Sequence, residues 1–142
     1  MTLPAASIPV LSLSTFLAVV PSPVMQAPAA AEREAAAKSP QAAVVLANQK
    51  AIAEHDLDAY RKTLPAAVAA SFDGPSGQLL WNLLTKATPT TDLEFLKVSV
   101  DGSTATLLMR GRREGARQRG TVTLTLEGGE WKVGPADWEP EP

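Results

Sequence analysis

Leu93-Glu-Phe-Leu-Lys-Val-Ser-Val-Asp-Gly-Ser-Thr-Ala-Thr-Leu-Leu-Met-Arg110, a basic stretch, and Thr121-Val-Thr-Leu-Thr-Leu-Glu-Gly-Gly-Glu-Trp-Lys-Val133 read as an antiparallel meander of four strands. Each reversal carries turn chemistry. Asp101-Gly102 is a strong hairpin signal, because a type I′ turn needs positive φ at both central residues. Gly128-Gly129 offers the same freedom before the last strand. From Thr121 to Leu126 the alternation is strict, with Val122, Leu124 and Leu126 on one face and three threonines on the other. A strand of that kind is buried on one side and wet on the other. Leu96, Val98 and Val100 are expected to share the buried face.

Working outward, the chain has 142 residues, 45% of them hydrophobic and 20% charged, which suits one globular domain. With no cysteine, disulfides and Cys-based zinc sites are excluded. The net charge of −2 argues against a general nucleic-acid binder. Charge is placed unevenly. Five of the thirteen basic residues fall between Arg110 and Arg119, and the last six residues carry only acids.

Residues 1–31 hold no charged side chain, and nine of the thirteen residues from Ile8 to Val20 are apolar. That run has the length of a signal-peptide core and is too short to span a membrane, which takes about 20 apolar residues. Small residues at 25–29 offer a cleavage point, although the usual positive leader is missing. The alternative is an N-terminal arm, since four prolines by Pro23 forbid a long helix. Pro28 to Lys38 is alanine-rich without an apolar stripe and is expected to be linker. Residues 1–38 are thus assigned to an export-like segment and linker, 39–138 to one α+β domain, and 139–142 to an acidic tail expected to fray.

Ser39-Pro40 is a good helix start, with Ser as N-cap and Pro at the first helical position. The helix should run to about Glu54, burying Val45, Leu46 and Ile52. Asp56 can cap a second helix, Leu57 to Leu64, and Pro65 ends it. Ser76 can cap a third, with Leu79, Leu80, Leu83 and Leu84 as its buried stripe. Helices followed by a meander give an α+β architecture, the helices packed on one face of a curved sheet.

The segments Ala51-Ile-Ala-Glu-His-Asp-Leu-Asp-Ala59, Asp101-Gly-Ser-Thr-Ala-Thr106 and Gly128-Gly-Glu-Trp-Lys-Val133 together resemble the NTF2-like superfamily. These are cone-shaped α+β domains that include ketosteroid isomerase, and the nearest likeness is to small exported bacterial members of unknown function. The resemblance covers roughly residues 40–138. It implies a fold and is nearly silent on activity. His55 stands where the family often has glycine.

No metal, phosphate or cofactor motif stands out, so no metal ligands and no cofactor are assigned. For catalysis the residues to test are His55, Tyr60 and Glu94. His55 is the only imidazole and has Asp56 beside it, yet Asp56 is better used as an N-cap. Tyr60 resembles in type the oxyanion-hole tyrosine of ketosteroid isomerase-like enzymes, though it serves equally as a core residue with a wet tip. If the cone is open, Tyr60, Trp81 and Leu124 would line it and hold a small apolar ligand. Arg110, Arg112, Arg113, Arg117 and Arg119 form a basic loop opposed only by Glu114. It could take an anion, or simply keep a hairpin tip soluble. Three readings follow: a non-catalytic exported binding or accessory domain using the cone or the sheet face for an apolar ligand or a protein partner; a small isomerase- or hydrolase-type enzyme; an anion-binding module. A homodimer through the sheet face is a further option.

Overall fold

The structure is a computed structural model that describes residues 29–87 and 89–141. The apolar run read as an export signal lies outside the described residues. Among the described residues five helices precede the sheet: α1 (Ala30–Ala37), α2 (Pro40–Ala53), α3 (Leu57–Lys62), α4 (Ala66–Ala69), extended by a 3-10 turn at Ala70–Phe72, and α5 (Gly74–Lys86). Four strands follow, β1 (Thr91–Asp101), β2 (Thr104–Arg113), β3 (Ala116–Glu127) and β4 (Glu130–Pro140), in the antiparallel order β1-β2-β3-β4. No helix among the described residues is long and apolar enough to cross a membrane. The α+β layout expected from the sequence is the one observed.

The alanine-rich stretch expected to be linker is instead α1, which packs along β1 with Ala36 fully buried. A small side chain needs no apolar stripe to dock, because the backbone itself can approach closely. Ser39 then caps α2 as expected, its oxygen accepting from the Ala42 N–H at 3.1 Å. α2 turns a different face inward from the one expected. Gln41, Ala42, Val45, Asn48 and Ala51 are buried, Ile52 is half-buried and Leu46 faces out. Two amides occupy places that hydrophobic periodicity gives to leucine and isoleucine.

Three bulges bend the sheet. Phe95 opposes Met109 and Lys97 opposes Leu108, so Leu96 is the extra residue of one of them. Leu96 is fully buried as expected, and Phe95 beside it is buried too, in the cluster against the sheet. Val98, Leu107 and Val122 face one another across three strands, as do Val100, Ala105 and Leu124. In β4 a bulge at Gly134-Pro135 lets a proline sit in a strand, and only glycine allows the Thr123 carbonyl so close at 134. The first turn is shifted by one residue. Asp101 pairs with Thr104, and Gly102 alone has positive φ, which is the type II′ pattern rather than I′. Glu114-Gly115 and Gly128-Gly129 both have positive φ throughout, as type I′ requires.

Two hydrophobic clusters result. One lies against the sheet, with Ala42, Val45, Phe95, Leu107, Met109, Val122 and Leu124, and Trp131, Val133 and Trp138 around it. The other lies among the helices, with Leu64, Phe72 and Trp81 ringed by Ile52, Leu57, Tyr60 and Leu84. The leucine stripe of α5 therefore does not face the sheet. Trp81, Gly77 and Leu84 point in, while Leu79 and Leu83 point out. The helix begins at Gly74 with Asp73, not Ser76, at its N-cap position.

Candidate functional site

The basic segment is a hairpin, not a loop. Arg110, Arg112 and Arg113 end β2, Arg117 and Arg119 begin β3, and Glu114-Gly115 is a tight turn between them. Register sets Arg110 opposite Arg119 and Arg112 opposite Arg117. Strand alternation sends these four to the face away from the sheet core. Arg113 goes to the other face, where its guanidinium lies 5.2 Å above the Trp138 ring. That ring covers Gly120, at which an added Cβ would meet ring carbons at 2.9 Å.

Four guanidinium groups on one face would repel, and acids from distant parts of the chain offset them. Arg112 Nε lies 3.4 Å from Asp92, and Arg110 lies 3.5 Å from Glu94, both on β1. The main counter-ion is Glu141, just past β4. Arg110 Nε donates to its carboxylate at 2.8 Å, with Arg119 at 3.6 Å and Arg117 at 3.8 Å. The Glu141 N–H also donates to the Arg117 carbonyl at 3.1 Å. The Arg110 hydrogen bond, against some opposing desolvation, and the three arginine charges hold the Glu141 carboxyl below the ordinary carboxylate range. The tail expected to fray is thus strand to Pro140 and then a clasped carboxylate. Glu114 was expected to be the only opposing acid; the others come from strands paired at long range, which no local window displays.

Arg110 and Glu141 are the covered members, their side chains only 20% and 14% exposed. Arg119 Nε is buried and donates to no atom among the described residues. Beside the cluster lies an open cleft of about 380 Å³, lined by Asp92, Leu93, Glu94, Arg110, Gly111, Arg112 and Arg117. Its walls supply directed N–H donors at fixed spacing on a hydrogen-bonded frame, the geometry in which arginine grips carboxylates.

The catalytic candidates are not gathered into one site. His55 is exposed with φ 56° at the end of α2. Its N–H donates to the Ile52 carbonyl and the Asp56 N–H to that of Ala51, a Schellman cap, while the Asp56 carboxylate caps α3. Tyr60 sits edge-on to Phe72 at 5.3 Å and 5.0 Å from Trp81, and burial raises its phenol above the usual value. Glu94 belongs to the arginine cleft. Among the proposed ligand residues, Tyr60 and Trp81 meet in the helical cluster, whereas Leu124 is wholly buried in the sheet cluster.

One buried polar group joins the two halves and has no signature in sequence. Asn48 on α2 donates to the Thr63 hydroxyl at 2.8 Å, which donates to the Tyr60 carbonyl at 2.6 Å. The Thr63 carbonyl accepts from the Val133 N–H of β4 at 2.7 Å.

No protein-family profile and no curated protein matches the sequence. Solved structures do match the fold. An NTF2-like protein of unknown function from Silicibacter pomeroyi aligns over 70% of this chain and 92% of its own, at 17% identity and a TM-score of 0.50. The fold is NTF2-like. A SEC-C motif containing protein from Rhodopseudomonas palustris aligns over 75% of this chain and 86% of its own, at 20% identity and a TM-score of 0.54. A Shewanella baltica NTF2-like protein of unknown function aligns over 72% and 92%, at 14% identity and 0.49. At this identity the likeness to the Silicibacter pomeroyi protein, itself of unknown function, shows the fold alone.

Proposed function

We propose that this chain is a non-catalytic NTF2-like binding domain that uses the arginine-bearing face of its sheet to hold a carboxylate-rich segment of a protein partner. One observation carries the reading: Arg110, Arg117 and Arg119 converge on a single carboxylate, that of Glu141. A surface already shaped around one glutamate is complementary to others, and the adjoining cleft leaves Arg112 and Arg117 half-exposed beside it. Acid–base chemistry has less support, because His55, Tyr60 and Glu94 sit on three separate parts of the fold. An apolar ligand has less support too, because Leu124 lies within packed protein.

Titration of the isotope-labelled full chain with a glutamate-rich peptide tests this. Perturbed arginine Nε–H resonances at 110, 112, 117 and 119, weakening as salt screens the charges, support it. Unchanged arginine signals at saturating peptide overturn it.

We also assign the protein to the exported class, on the uncharged apolar run at residues 8–20. Mass spectrometry of the protein from its native host tests that: a start near residues 26–30 supports it, and an intact Met1 in the cytosolic fraction refutes it.

A further inference from the structure

Four of the five hairpin arginines are matched by acids, and the fifth is not. Arg110, Arg112, Arg117 and Arg119 each reach a carboxylate on the outer face of the sheet. Arg113, on the inner face, forms no ion pair among the described residues and instead lies 5.2 Å above the Trp138 ring. That position is set by the strands around it. Gly120 carries no side chain, so the Trp138 ring takes a place where an added Cβ would meet ring carbons at 2.9 Å. The ring in turn holds the guanidinium. An arginine fixed in this way has little side-chain freedom left to lose when it grips an anion.

Between the hairpin tip and the end of α5 lies a second cleft, of about 490 Å³, with Arg113, Glu114 and Gln118 on one side and Lys86 and Ala87 on the other. Gln118 stands two residues before Gly120 on β3, so strand alternation sends its amide to the same face as Arg113. Both side chains are half-buried, and Lys86 is exposed at the rim. The charges select the ligand. Two cations against one acid leave a single positive charge, which suits one carboxylate better than a doubly charged phosphate. A guanidinium offers that carboxylate two parallel N–H donors. Glu114 and the last carbonyls of α5 accept hydrogen bonds and disfavour a second negative charge. The rest of the ligand must therefore be hydrophilic and able to donate.

We infer that this cleft binds a small hydroxylated monocarboxylate, its carboxylate on Arg113 and Lys86 and its hydroxyls on Gln118 and Glu114. A cleft of this size takes a small molecule rather than a protein segment. The site lies on the opposite face of the sheet from the four paired arginines and stands or falls without them.

Gluconate is a suitable probe, with acetate and glucose to separate its carboxylate from its hydroxyls. Titrated into the isotope-labelled full chain, gluconate should shift the Arg113 Nε–H, Gln118 side-chain amide and Trp138 indole resonances along one saturable curve. Acetate should bind several-fold more weakly, and glucose should leave Arg113 unmoved. Arg113→Gln should abolish binding, and Arg113→Lys, which keeps the charge but loses the fork, should weaken it several-fold. Arg112→Ser/Arg117→Ser, on the outer face, should leave the affinity unchanged. The inference is overturned by gluconate shifts that do not saturate at Arg113 or are confined to the outer arginines. Acetate binding as tightly as gluconate, glucose moving Arg113 equally, or either Arg113 variant binding at full strength would overturn it as well.

Discussion

The core against the sheet and the cluster among the helices are assembled from different materials. Under the sheet the buried side chains are mostly aliphatic, small or β-branched, in rows fixed by strand register: Leu107 and Val122 with half-buried Val98, then Ala105 and Leu124. Val100 and Leu126, expected on the buried face, are exposed where the helices no longer cover the sheet. Among the helices three aromatic rings dominate, with Trp81 and Phe72 also edge-on to each other at 6.4 Å. Rows across a sheet are dictated by hydrogen bonding, so a period of two reads them directly. A cluster of rings on three short helices depends on which way each helix turns, and several rotations leave comparable apolar area inside. The two regions are joined by hydrogen bonds rather than by a shared core: the buried set at Thr63, and at the surface Lys132 Nζ to the Lys62 carbonyl and the Ala66 N–H to the Glu127 carboxylate.

That contrast can be broken most forcefully by truncation. Trp81→Ala should cost about 3–5 kcal/mol and Leu124→Ala about 2–5 kcal/mol, because both leave cavities in packed surroundings. If the clusters are separate, the double variant should cost the sum to within about 0.5 kcal/mol. Denaturant unfolding of the three variants measures this, and strong non-additivity would merge the clusters into one.

The joint itself comes next. Thr63→Val keeps the shape but strands the buried Asn48 amide, so about 1–3 kcal/mol should be lost. Asn48→Ala in the same background should then cost less than it does alone. Equal costs in both backgrounds would mean that the hydrogen bond does not couple the halves.

A smaller effect of opposite sign is expected at the end of α2. His55 holds a left-handed backbone that glycine adopts without penalty, so His55→Gly should stabilise by about 0.5–1 kcal/mol. A loss of stability would show that the imidazole makes a contact worth more than the strain it carries.

The gentlest contrast is set by pH. The Glu141 carboxyl titrates below its ordinary value in the folded chain, so its contribution is present above the unfolded-state value and is lost as pH falls through the folded one. Glu141→Gln should therefore lower the melting temperature at neutral pH, with the gap to wild type closing in acid. A gap that persists at low pH would point to packing rather than charge.

These same features explain what could be read from the chain unaided. Gly128-Gly129, the alternation of Thr121 to Leu126 and the Ser39-Pro40 start each act within a few residues, and they gave the strands, a turn and a helix boundary. Asp56 likewise capped its helix as its position implied. The α5 stripe misled because leucine count favours the Leu79 face, whereas one large ring at Trp81 and a glycine at 77 decide the packing. Gly77 is required there, since a Cβ would lie 2.0 Å from the Phe72 carbonyl carbon. α1 was missed because alanine docks without a stripe. The arginine segment was visible, but its partners Asp92, Glu94 and Glu141 become neighbours only through strand pairing.

The reading of the arginine face as a carboxylate grip is tested most directly by removing the carboxylate it already holds. In Glu141→Ala the three guanidinium groups keep their strand positions and lose their shared partner. Calorimetric titration of this variant and of wild type with a short single-glutamate peptide should show saturable one-to-one binding to the variant, several-fold tighter than to wild type and weakened by salt. Adding Arg110→Ser and Arg119→Ser should abolish it. Equal binding to the variant and to wild type, or none to a variant that folds normally, would contradict the account.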